Sequence, residues 1–118
     1  MLLIMIVTIA SLILWAVALD ADWHETDLGI RLGKGVENNF LAKRIGKPAA
    51  TAILDGPFVG GLIWSMITVN VTGLVALSIV MIVIAGLHLR GAYRWSLLIS
   101  GKFDPNAPKS ALQKFLGF

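Results

Sequence analysis

The sequence predicts an all-α integral membrane protein with three transmembrane helices and a short amphipathic C-terminal segment. Three observations carry this expectation. Residues 2–19 contain no charge and would form a helix of about 27 Å, close to a bilayer core of about 30 Å. All ten basic residues fall in two blocks, 31–47 and 90–114, each preceded by an apolar stretch. The apolar fraction of 57% and the mean hydropathy of +0.81 exceed what a soluble domain of 118 residues carries. With this length there is room for one membrane domain, residues 1–118.

The first span, 2–19, need not end at Leu19. Between Asp20 and Ile30 there is no Pro, the only Gly is Gly29, and charges recur at helical spacing. A polar helical extension to residue 32 is expected, stopped by Gly33 and Gly35. The following connection holds a short helical candidate at 38–45 and closes on Gly46-Lys47-Pro48. Proline suits the first turn of a new helix, where its missing N–H costs nothing. The second span, 48–69, contains Asp55, Gly56-Pro57 and Gly60-Gly61, and should bend near its first third. Residues 70–73 are the only plausible turn before the third span, 72–89. His88, Arg90, Tyr93, Arg94 and Trp95 then form an interfacial set. In the tail, 90–118, a Pro-rich bend at 103–108 precedes Leu112, Phe115, Leu116 and Phe118, set against Lys109 and Lys114. That pattern suits a segment lying along lipid headgroups.

Basic residues stay on the cytoplasmic side of a membrane. The loop and the tail are both basic, so the expected topology is multi-pass in the cell's inner (cytoplasmic) membrane, N-terminus outside and C-terminus cytoplasmic. Residues 1–19 also resemble a signal-peptide core, with Ala16-Val17-Ala18 as a small-x-small pattern. No basic residue precedes the apolar run, which favours an uncleaved span. The net charge of +3 and the pI near 9.6 come from residues flanking spans, where anionic headgroups, not nucleic acid, are the natural partners. The absence of Cys excludes disulfides and thiolate chemistry. No nucleophile–base pair is evident, and Gly33-Lys34-Gly35 is too short to cradle a phosphate.

Polar chemistry concentrates in a few places. Asp20, His24, Asp27 and Arg31 are spaced i, i+4, i+7 and i+11, so one helix face carries all four. A histidine between two carboxylates suits a divalent metal or a proton; the same residues also suit a solvated stripe of i,i+4 pairs. Asp55 would lie about 10 Å into its span. An acid at a helix centre costs about 2.5–3.5 kcal/mol to insert, so it should face protein or water. Its candidate roles are an ion or proton site, a carboxylate paired with Lys47 or His88, or a cap of the break at Pro57. Asp20, His24, Asp27, Asp55 and His88 all fall toward one membrane face, and either converge or ring the interface. Gly56-x-x-x-Gly60 is a small-xxx-small pair suited to close helix packing. Asn70-Val71-Thr72 matches a glycosylation acceptor, but its place in a tight turn against the membrane argues for chance.

Two segments resemble known families. Asp22-x-x-x-Thr26 followed by Gly33-x-Gly35-x-Glu37-x-Asn39 resembles a family of small uncharacterised phage and bacterial multi-span membrane proteins, except that Phe40 stands where the family has Pro. The resemblance covers about a fifth of the chain and implies a multi-span membrane protein. Asp20-Ala21-Asp22-Trp23-His24 is similar to the metal-site segment in the C subunit of copper membrane monooxygenases. That family has a second His thirteen residues after the first, where this chain has Glu37. The expected function is a structural or accessory subunit of a larger membrane assembly with no catalysis of its own. Its partners would be membrane lipids and other membrane subunits or further copies. One alternative is a pore-former resembling three-span phage holins. Another is a metal- or proton-binding subunit using Asp20, His24, Asp27 and Asp55, with a divalent metal as candidate cofactor.

Overall fold

The computed structural model describes residues 1–35 and 40–101, and all its regular elements are helices: α1 (Leu2–Arg31), α2 (Phe40–Ile45), α3 (Lys47–Leu54), α4 (Gly56–Ile67) and α5 (Val71–Ile99). Part of the first resemblance (Glu37 and Asn39), the Pro-rich bend and the amphipathic C-terminal segment lie outside the described residues.

α1 is unbroken over 30 residues, about 45 Å and longer than a bilayer core, so its charged C-terminal third extends past the apolar part. It ends where Gly33 takes φ +66. There the N–H of Gly33 donates to the Ile30 carbonyl (3.1 Å) and that of Lys34 to Gly29 (3.0 Å). This paired closure needs a left-handed residue, a role glycine fills without a side-chain clash.

α3 and α4 meet at Asp55 with a 49° bend. Pro57 has no N–H to give the Ile53 carbonyl, which removes the usual i+4 bond at the joint. α4 turns into α5 through Thr68, Val69 and Asn70. The Asn70 side chain accepts from the Gly73 N–H (3.1 Å) and caps α5. Val69 in this turn has φ +53, unfavourable for a β-branched residue.

α1 and α5 are each long and apolar enough to cross a membrane, and the bent α3–α4 pair adds a third apolar rod. α1 and α5 run parallel: Thr8 meets Ser78, Asp22 meets His88, and Gly29 lies against Trp95. α4 returns antiparallel beside α5, with Gly61 against Leu77 and Ser65 against Gly73. The buried face of α1 is Thr8, Ser11, Ala18, Asp22, Thr26 and Gly29, spaced as one helical stripe. Small and hydroxyl-bearing residues let the two long helices approach closely. Leu62, Leu74 and Met81 form the fully buried apolar centre, with Leu12 and Trp15 packed on it. The large aliphatic residues instead face outward; Leu2, Leu3, Ile13, Val17, Ile79 and Val83 are all exposed. An apolar exterior over a small-residue interior is compatible with lipid as the solvent and would be insoluble in water.

Candidate functional site

The site lies where α1, the α3–α4 joint and α5 meet. His88 of α5 has both ring nitrogens engaged: Nδ1 is 2.7 Å from Asp22 Oδ2 of α1, and Nε2 is 2.7 Å from Asp55 Oδ2 at the joint. Both carboxylates belong to buried residues, Asp22 6% and Asp55 7% exposed. Each has further support. The Trp15 indole N–H donates to Asp55 Oδ2 (2.9 Å), and the Thr26 hydroxyl donates to Asp22 Oδ1 (3.2 Å). Lys47, the first residue of α3, places Nζ 3.5 Å from Asp22 Oδ2.

Local sequence explains why these groups meet. Asp22 follows Trp15 by seven residues and precedes Thr26 by four, so all three share the α1 stripe. Asp55 occupies the bend that Gly56-Pro57 imposes. Gly91, three residues past His88, leaves the space that Asp22 fills: a Cβ there would come within 3.0 Å of Asp22 Oδ1.

Proton counting defines what the cluster can do. A carboxylate only accepts hydrogen bonds, and a neutral imidazole donates from one nitrogen. Both short contacts are therefore hydrogen bonds only if the ring carries two protons or one carboxyl carries a proton. With both contacts as hydrogen bonds, the three groups would hold one proton more than a neutral ring with two carboxylates. The ring stands between the carboxylates, so each nitrogen faces one oxygen and no common point is left for an ion.

A cavity of about 320 Å³ borders the cluster, lined by Asp22, Lys47, Thr51, Asp55, Phe58 and His88 among others. A second, of about 510 Å³, is lined by Asp20, Trp23, His24, Asp27 and Lys47 among others. The residues that sequence places on one membrane face thus divide. Asp55 and His88 converge. Asp20, His24 and Asp27 are exposed and line the neighbouring cavity, where Asp27 pairs with Arg31 at 2.6 Å. Among the described residues no group of three His, Asp or Glu side chains is placed to hold a metal ion. The expectation of a divalent metal at Asp20, His24 and Asp27 therefore finds no support, since Asp27 is turned to Arg31. Gly56 and Gly60 have open space where a Cβ would stand, so neither packs against another of the described helices. Asn70 spends its side chain on the α5 cap.

Asp22 and Trp15 are the site residues that sequence reasoning did not single out. Their signal lies in the stripe itself: Thr8, Ser11, Trp15, Ala18, Asp22 and Thr26 recur every three or four residues, marking the face that meets another helix. No family model matches the chain, and no curated protein and no solved structure is significantly similar to it.

Proposed function

We propose that this is a three-span protein of a cytoplasmic-type membrane, N-terminus outside, that serves as a proton-binding subunit of a larger membrane assembly. The observation that carries the reading is His88 bridging Asp22 and Asp55 through both ring nitrogens. Ionisable groups within membrane helices are expensive and mark proton or ion pathways. A purely structural tie between helices could be built from apolar side chains at lower cost. The shared proton sits among three helices, where a change in its occupancy alters contacts between all of them. The open glycines of α4 support a subunit role, because they offer a close-approach surface that the described residues do not fill.

Histidine chemistry gives a direct test, since the chain contains only His24 and His88. Nitrogen NMR of ¹⁵N-histidine-labelled His24→Gln protein in bilayers isolates the His88 ring. The ring nitrogens are expected to change with pH in a step that Asp22→Asn and Asp55→Asn each displace. A ring locked in one protonation state from mildly acidic to mildly alkaline pH would sink the proposal and leave a structural staple.

A further inference from the structure

We infer that protons reach the Asp22–His88–Asp55 site from one side of the membrane only, through the cavity bordered by Asp20, His24 and Asp27, with Lys47 between that vestibule and the site. The inference rests on the proton-binding reading above. Its geometry is independent of that reading.

The two cavities share two residues, Ala42 and Lys47. Lys47 therefore borders the open, acid-lined space on one side and the buried cluster on the other. Its ammonium stands 3.5 Å from Asp22 Oδ2 with the side chain 25% exposed. Asp20, His24 and Asp27 are exposed and line this cavity, so the polar side chains nearest water stand on the Lys47 side of the cluster.

The opposite direction is closed. Beyond the cluster the seam is filled by Ala18, Leu62, Met81 and Ala85, each fully buried. The next buried hydroxyls are Ser11, which donates to the Thr8 carbonyl, and Thr8 with Ser78; Ser11 lies eleven residues from Asp22 on α1, about 16 Å along the helix. Ser78 lies ten residues from His88, about 15 Å along the helix, too far for a proton to pass without intervening polar groups. The entrance therefore lies at the end where α1 terminates, and among the described residues no ionisable side chain continues the path toward α4's far turn.

The ionisable groups facing the ring are Asp22 from α1, Asp55 from the joint, and Lys47 from α3 acting through Asp22. α4 contains no ionisable side chain, and Arg90, Tyr93 and Arg94 follow on α5 itself. Transfer balances without any further reagent. Starting from a ring protonated at Nε2, a proton arriving on Asp22 Oδ2 moves to Nδ1 as the Nε2 proton moves to Asp55 Oδ2. One O–H bond breaks at Asp22 and one forms at Asp55, and one N–H bond forms as another breaks.

The test uses the full chain in sealed vesicles, inserted in one orientation, with the His88 signal followed by ¹⁵N or infrared spectroscopy after a pH jump on one side. The signal is expected to follow pH on the side bearing the α1–α3 connection and to ignore the other side until an ionophore equalises them. Asp20→Asn with Asp27→Asn should slow the response several-fold. A response to the opposite side, or equally to both, overturns one-sided access while leaving the proton site intact. An unchanged rate in the double variant overturns the vestibule. No response on either side after ionophore overturns this inference together with the reading it rests on.

Discussion

Trp15 donates its indole N–H to the same Asp55 oxygen that faces His88 Nε2, at 2.9 Å and 2.7 Å respectively. One carboxylate oxygen thus ties α1 to α5 through the joint between α3 and α4. Removing any one donor changes what the other two elements share.

Trp15→Phe keeps the ring and deletes the donor. It should lower stability by about 0.5–1.5 kcal/mol, the net worth of one hydrogen bond, and alter the His88 nitrogen signals. Denaturant unfolding in mild detergent, followed by NMR of the same sample, checks both. Unchanged spectra would mean that the indole does not bear on the site.

Gly29 has no room for a side chain, because a Cβ there would overlap the Trp95 ring. Gly29→Leu should therefore cost about 1–3 kcal/mol through overpacking. Trp95→Ala in the same chain should recover part of that loss, giving a double-mutant coupling of opposite sign to simple addition. Strict additivity would show that the two residues do not meet.

Val69 holds φ +53 in the turn between α4 and α5. Val69→Gly should raise stability by about 1 kcal/mol, since glycine adopts this conformation without the strain a β-branched residue meets. Thermal unfolding in detergent reads the change. A loss instead of a gain would mean that the valine side chain contributes more than its backbone costs.

Gly56 and Gly60 face open space, so Gly56→Leu with Gly60→Leu should leave the monomer's unfolding free energy within about 0.5 kcal/mol of wild type. If the proposed subunit contact uses this surface, the complex it forms in mild detergent should nevertheless be disrupted, as added volume separates backbones that small residues let approach. Retention of the complex would move the contact to another face.

The helical class and the two long apolar helices were readable from the sequence because length and hydropathy are one-dimensional properties. The break at Asp55 was equally legible, since Gly-Pro carries its own backbone constraint. His88 and Lys47 were candidates for pairing with Asp55. His88 takes that place at 2.7 Å, and Lys47 stands 3.5 Å from Asp22. Which acid a lysine reaches depends on how the rods are rotated about their axes, and residue spacing on a single helix does not contain that angle. The prominence of Asp20, His24 and Asp27 has the same origin. They share a face, yet it is the adjacent face, with Asp22, that turns toward α5.

The α1 stripe also divides the helix into positions with different tolerance of change. Leu2, Ile6, Ile9, Ile13 and Val17 are exposed, and exchange among aliphatic residues there alters only the outer surface. At Thr8, Ser11, Ala18 and Gly29 the space is set by α5 or by neighbouring helices, and enlargement has nowhere to go. Natural variation in this helix should accordingly be broad in sequence but narrow in size along one edge, with three or four residues between the restricted positions. A saturation library of α1 selected for membrane accumulation would expose that spacing as a periodic pattern of depleted bulky residues, without reference to any activity.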